Sequence, residues 1–365
     1  MIAMNDFKRE PELLMQSEID AVERVIRSGW WILGQEVEKF ESDWSDWIGV
    51  RNTVGVANGL DAIEIGLRVL GIGEGDEVIT TPMTAYATVL AIMRTGATPM
   101  LADINPDTAI LSLESVQRCL SLKTKAVVLV HLYGQAGPAD ELKSLCDNYG
   151  IHLLEDCAQA HGAKLNGKSV GTFGTVAAWS FYPTKNLGAV GDAGALTIND
   201  DELAEKARVL RNYGQTERYH HPVVGMNSRL DELQAAILRV RLPYIEEWND
   251  KRRSVAGKYD AGLDNILVKA PLLPAEMERH VYHLYVLKSN RRAELAEYLK
   301  KKGVGSLIHY PIPIHHQQPC LTLPRDPAGL KVAEDHANSC LSLPCHPLLT
   351  SPEIDHVVEA VNSFK

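Results

Sequence analysis

The stretch AVVLVHLYGQAGPADELKSLCDNYGIHLLED, residues 126–156, decides the fold. It opens with the apolar run AVVLVHL (126–132), passes through a helical period from Ala139 to Asn148, and closes on a second apolar run, IHLLED (151–156). Strands that are apolar on both faces lie under helices on both sides, and two such runs joined by one helix form a parallel crossover unit. The same rhythm extends outward in both directions. TVGVA (53–57), EVITT (77–81) and TPMLAD (98–103) precede the stretch; VAAWSF (176–181) and GALTI (194–198) follow it. These seven runs, with helical periods such as Asp61 to Leu70 between them, predict an α/β fold with a large domain on a mainly parallel seven-stranded sheet.

After about residue 200 the pattern changes. Glu202 to Arg211 reads as a helix, and Leu230 to Leu263 as a long helical region with a break at Pro243. HVYHLYVLK (280–288) reads as a strand, Arg291 to Lys302 as a helix, HYPIPIHHQQP (309–319) as a proline-rich loop, and Pro352 to Phe364 as the last helix. This is a smaller α+β pattern. We therefore expect a large domain over 1–245, carrying a helical N-terminal arm, and a small C-terminal domain over 246–365. Within the arm, the pair Trp30-Trp31 is expected to face an interface.

Bulk properties narrow the function. A chain of 365 residues calls for more than one core. The net charge of −10 disfavours nucleic acid and anionic membranes as partners. No apolar run reaches the roughly 18 residues of a membrane span. The charged start MIAMNDFKREPELL lacks the apolar core of a signal peptide, so a cytoplasmic location is expected. The six cysteines show no framework spacing and read as free thiols. Cys340, Cys345 and His346 lie close together, but no second cluster completes a zinc set, so no metal is expected.

The chemistry starts from two residues. Lys185 follows an apolar run in SFYPTKN (180–186), and Asp156 ends another. Alone, the first reads as a loop lysine and the second as a helix N-cap. Together they fit the needs of pyridoxal 5'-phosphate (PLP), which requires a lysine amine for its aldehyde and a carboxylate to keep its ring nitrogen protonated. Both sit at the C-terminal edge of the predicted sheet, where such proteins bind ligands. VANGLDAIEIGL (56–67) runs through Gly59 into a helix whose free N–H groups suit a phosphate, and the Ser180 hydroxyl offers another donor. GIGEG (71–75) lacks the dinucleotide spacing and reads as a helix C-cap and turn.

Several blocks in order carry a resemblance: WWILGQEVEKFE (30–41), GVANGLDAIEIGLRVLGIGEGDEVI (55–79), LLEDCAQAHGA (153–163), SFYPTKNLGAVGDAGAL (180–196), RNYG (211–214), GMNSRLDELQAAIL (225–238) and the loop 309–319. The chain resembles the DegT/StrS-type sugar aminotransferases, a branch of the type I fold of PLP enzymes. The resemblance implies transfer of an amino group from an amino acid, glutamate, to a nucleotide-linked keto-sugar in amino-sugar biosynthesis, with pyridoxamine phosphate as the aminated form of the cofactor. Lys185 matches the Schiff-base lysine and proton shuttle, and Asp156 the partner of the ring nitrogen. Gln159 matches the residue near the ring's phenolic oxygen, while Ser180, Gly59 and Leu60 match phosphate contacts. Asn227 matches an asparagine that reaches the phosphate from the other subunit, which implies a homodimer with shared active sites. His309, Tyr310 and His315 match a loop near the sugar. The family's stacking aromatic follows the first threonine of TAYAT (84–88); here Ala85 holds that place, so either Tyr86 covers the ring or another group does.

GLDA (59–62) resembles the wording of enzymes acting on dTDP-3-keto-6-deoxyhexoses, with amination at C4 as the alternative. Related sugar dehydratases carry histidine where this chain has Lys185, which favours amino transfer. A non-catalytic PLP-binding regulator is a further alternative, set against the retention of Asp156, Gln159, Ser180 and Lys185. A nicotinamide dehydrogenase lacks support without its glycine fingerprint.

Overall fold

The computed structural model of the protein describes residues 1–365 apart from 273 and 275. Two helices, α1 (Glu12–Ser28) and α2 (Gln35–Ile48), lead into β1 (Asn52–Val56). α3 (Gly59–Val69), β2 (Glu77–Thr80), α4 (Tyr86–Arg94), β3 (Thr98–Leu101), α5 (Leu113–Cys119), β4 (Thr124–Val130), α6 (Ala139–Tyr149) and β5 (His152–Asp156) then alternate as expected. A small hairpin, β6 (Lys164–Leu165) and β7 (Lys168–Ser169), precedes β8 (Val176–Ser180) and β9 (Gly194–Ile198). The seven strands of the main sheet run in the order β1-β9-β8-β5-β4-β2-β3, and only β9 runs against its neighbours.

The apolar runs are continuous because both faces are covered. Along β4, Val127 and Leu129 pack into one cluster with Phe40 and Trp44 of α2 and Leu142 of α6. Ala126 and Val128 point the other way, into a cluster with Ile63, Ile65 and Leu67 of α3. The register pairs Val130 of β4 with Asp156 of β5, and Asp156 with Ala178 of β8, which brings Asp156 to the C-terminal edge of the central strands. Gly71, in the left-handed region at φ 73°, closes α3 with its N–H on the Arg68 carbonyl, as the cap reading of GIGEG requires.

α7 (Asp201–Arg211) is followed by α8 (Glu232–Arg241), a 3₁₀ turn at Leu242–Tyr244 containing Pro243, and α9 (Ile245–Gly262). Ile245 joins the core of the main sheet, whereas Val255, Ala256 and Tyr259 pack in a separate cluster. That second core takes in β10 (Tyr285–Lys288), α10 (Arg292–Lys301), β11 (Cys340–Leu343) and α12 (Ser351–Asn362), with α11 (Lys331–Ser339) beside them. The expected strand at 280–288 is strand only over its second half. Its first half crosses to the loop after β4, where Val281 N–H donates to Gly134 O at 2.9 Å and Leu284 N–H to Tyr133 O at 3.2 Å.

The arm is clamped by one carboxylate. α2 begins at Gly34, which has no side chain to cap it. Glu232 of α8, buried at 3% exposure, accepts the N–H groups of Gly34 (2.8 Å), Glu36 (2.9 Å) and Val37 (2.9 Å) instead. Glu232→Ala would leave these donors without a partner, and a destabilisation of about 3 kcal/mol is expected by urea denaturation at unchanged slope. A loss below about 1 kcal/mol would show that water replaces the carboxylate at no cost.

Candidate active site

The edge of the sheet gathers the site. Asp156 leaves β5 and is fixed on both oxygens: Oδ2 accepts the Thr88 hydroxyl at 2.8 Å, and Oδ1 accepts the Ala158 N–H at 3.1 Å. Thr84, just before α4, bonds the Thr88 hydroxyl at 2.8 Å and so orients the one hydroxyl that α4 presents to the carboxylate. Sequence reasoning missed Thr88, which lies in the first turn of α4 facing the end of β5. Burial pushes the Asp156 carboxyl upward, and the Thr88 hydroxyl, the Ala158 N–H and the charge of Lys185 oppose that push.

Lys185 sits on the tight loop after β8. Lys185 N–H bonds Tyr182 O at 2.8 Å, and Ala189 N–H returns to Phe181 O at 2.7 Å. Behind it, Asn186 Nδ2 donates to Asn249 Oδ1 (2.8 Å) and Val281 O (2.9 Å), and Asn249 Nδ2 donates to His161 O (2.8 Å). This buried amide chain fixes the backbone that carries the lysine. Desolvation lowers the Lys185 ammonium from its ordinary 10.5 to about 8, against the pull of Asp156. PLP uptake by the apoenzyme should therefore accelerate as pH rises through about 8, since only the free amine attacks an aldehyde. Asp156→Asn removes the carboxylate that favours the ammonium and should move this midpoint lower. Stopped-flow uptake against pH reads both; a midpoint near the ordinary lysine value would contradict the burial.

The phosphate side is built by close packing. Asn58 caps α3, its Oδ1 accepting Asp61 N–H at 2.9 Å and its carbonyl accepting Ala62 N–H at 3.1 Å. The N–H groups of Gly59 and Leu60 are left for a ligand. A Cβ at Gly59 would lie 2.6 Å from Ser180 Cβ, and one at Gly194 would lie 2.4 Å from the Asn58 carbonyl carbon, so both positions require glycine. The helix start is thus pressed onto the ends of β8 and β9 beside the Ser180 hydroxyl. Asp61, in the first turn, would repel a phosphate, but Arg94 lies 3.4 Å from it and 2.8 Å from Glu64. The sequence reading missed this counter-ion.

Asn58, Gly59, Leu60, Ala85, Thr88, Asp156, Ser180 and Lys185 line one cleft of about 390 Å³, open to solvent. The volume lies within the range of small-molecule and cofactor sites. The residues therefore fit PLP: an amine and a carboxylate for the ring, and two N–H donors at a helix N-terminus with the Ser180 hydroxyl for the phosphate.

Other expected residues are placed differently. Ala85 lines the cleft, but Tyr86, the first residue of α4, turns away and packs with Val89, Leu101, Ile314, Cys320 and Leu330. Ala85 is the N-cap of α4 and Tyr86 its first residue, and this placement favours the second of the two alternatives, that another group covers the ring. Gln159 accepts Tyr133 N–H at 2.6 Å and donates to the Tyr310 hydroxyl at 3.2 Å, tying Tyr310 to the end of β5. His309 Nδ1 is bonded to Ser342 Oγ at 2.8 Å, and burial and then the charge of Lys185 lower its ring to about 4; His315 Nε2 is bonded to Glu334 Oε1 at 3.0 Å. Asn227 is exposed and stands outside the cleft of its own chain. His161 lies among Trp44, Trp179 and Phe181, and burial drives it down to about 3, so it stays neutral.

Comparison with known proteins agrees with this geometry. The chain is 41% identical over 365 residues to a Geobacillus stearothermophilus protein named pleiotropic regulatory protein, covering 100% of this chain and 98% of that one. It is 41% identical over 360 residues to dTDP-3-amino-3,4,6-trideoxy-alpha-D-glucose transaminase of Streptomyces venezuelae, covering 98% and 95%. The crystal structure of S. venezuelae DesV in complex with a ketimine intermediate superposes with a TM-score of 0.95 at 40% identity, covering 99% of this chain and 97% of that one. The chain has the fold of the PLP-dependent aminotransferases and is itself such an enzyme. Residues 13–362 match the sequence profile of the DegT/DnrJ/EryC1/StrS aminotransferase family, and the chain belongs to it.

Proposed function

We propose that this aminotransferase moves an amino group from glutamate to the C3 ketone of a dTDP-linked 3-keto-6-deoxyhexose. The observation that carries the reading is the convergence of Lys185, Asp156 and the three-donor cradle of Gly59, Leu60 and Ser180 on one cleft. The S. venezuelae relative, named for a 3-amino sugar, supports the choice of substrate class and carbon.

When bound, PLP supplies an aldehyde that condenses with amines and a protonated ring that draws electrons from the substrate carbon. The chain's own residues do the rest. Gly59, Leu60 and Ser180 hold the phosphate and fix its distance from Lys185. Asp156, kept in place by Thr88 and the Ala158 N–H, holds a proton on the ring nitrogen. Lys185 Nζ takes the proton from Cα of the amino donor, and its lowered basicity leaves a usable fraction of free amine near neutral pH. The Gln159–Tyr310 bond ties the loop that carries Tyr310 to the end of β5, next to Asp156.

The site is completed in a homodimer, with Asn227 reaching the partner's phosphate. Exposed apolar side chains on two surfaces support this: Trp30 (64%) and Trp31 (58%) on the arm, Tyr219 (77%) and Val224 (95%) beside Asn227. His309, Tyr310 and His315 belong to the segment that borders the sugar, with Tyr310 its contact. The division into 1–245 and 246–365 falls at the start of α9, which is supported by its packing in both cores. A cytoplasmic setting is supported by six free, buried cysteines.

Turnover of matched 3-keto and 4-keto dTDP-sugars with glutamate tests the reading. A C3 amine by NMR, formed at the higher kcat/KM, is expected; preferred amination at C4 would overturn the choice of carbon.

A further inference from the structure

We propose that His315, His316 and Glu334 form a binding site for one divalent cation of the zinc class, outside the cofactor cleft. His315 and His316 lie on a 3₁₀ turn in the proline-rich loop after Tyr310, and Glu334 lies on α11. One potential ligand atom from each lies within 4.8 Å of the others. His315 Nε2 is 3.0 Å and His316 Nε2 3.6 Å from the same Glu334 oxygen. In a tetrahedral zinc site, with bonds of about 2.0–2.2 Å, ligand atoms stand about 3.3–3.6 Å apart. Small shifts of these side chains would therefore admit an ion.

The chemistry of the set agrees. Two imidazoles and a carboxylate suit zinc, and water would complete the shell. Among the described residues no lysine or arginine is paired with Glu334: the neighbouring Lys331 is paired with Asp335 at 3.2 Å, and Arg325, whose charge reaches His315, donates to Leu321 O at 2.9 Å. The His315 side chain is fully buried, while those of His316 and Glu334 are 52% and 41% exposed, so the set has a rigid inner member and an entry path from solvent. The other histidine–acid cluster, His131, Glu155 and Cys157, differs in this respect. Glu155 already accepts three backbone N–H groups, from Gly171, Phe173 and Gly174, and has no free valence for a metal. An ion at His315, His316 and Glu334 would cross-link the loop that carries Tyr310 to α11. That loop is short of backbone donors because Pro311, Pro313 and Pro319 have none.

The test is titration of untagged holoenzyme with Zn²⁺ in competition with a chromophoric chelator, for wild type, His316→Asn and Glu334→Gln. One Zn²⁺ per chain is expected, weakened at least about 10-fold in each variant, since losing even an outer partner of a zinc ligand costs that much. Unchanged cofactor absorbance in the variants would confirm that they fold. Independently of any variant, zinc-edge X-ray absorption of the loaded wild type should show imidazole and oxygen ligands. Absence of zinc uptake, equal uptake by both variants, or a shell without imidazole would overturn the site.

Discussion

Lys185→Ala is expected to lower the rate of amino transfer by at least about 10⁴-fold, the upper range for a positioned proton-transfer group. Lys185 is the amine that lines the cleft, and among the described residues no second lysine lines it to take over. Lys185→Arg sharpens the test. It keeps the positive charge and most of the length, but a guanidinium does not give up its proton in the working pH range. Both variants should therefore fail, which separates the need for a free amine from the need for a cation. Single-turnover measurement with glutamate, with cofactor content determined in parallel, reads the effect. Activity within tenfold of wild type in either variant would remove Lys185 from the proton transfer.

Asp156→Asn should reduce kcat by about 10³-fold, about 4 kcal/mol of barrier. The asparagine keeps the volume and can keep the Thr88 and Ala158 contacts, so the fold and the cradle should survive. What is lost is the negative charge that keeps a proton on the ring nitrogen. A neutral ring is a poor electron acceptor, and the substrate Cα proton then leaves slowly. The effect should appear in kcat rather than in cofactor retention, because the phosphate donors lie on another element. A variant that loses cofactor but turns over normally when saturated with it would assign Asp156 to binding alone.

The sheet was legible because six of its strands run parallel and are covered on both faces, which prints continuous apolar runs such as AVVLVHL. Asp156 ends such a run and Lys185 stands four residues beyond another, and what singled them out was that one cofactor needs both an amine and a carboxylate. Three features were not legible. β11 is a four-residue strand whose partner β10 lies more than 50 residues earlier, and a short run of that kind has no period to read. Tyr86 stands one residue from the family's aromatic position, and at the start of α4 that single step separates a side chain in the cleft from one in a packed cluster. Arg94 and Glu334 act through partners distant in sequence, Asp61 and His315, and only the folded chain brings them together.

The most direct test of the central claim is the absorbance spectrum of the purified holoenzyme before and after adding glutamate without a sugar. The Lys185-bound cofactor should absorb near about 420 nm and give way to a band near about 330 nm as the amino group moves onto it. A visible band that glutamate leaves unchanged would contradict an aminotransferase using this donor and return the chain to the reading of a PLP-binding regulator.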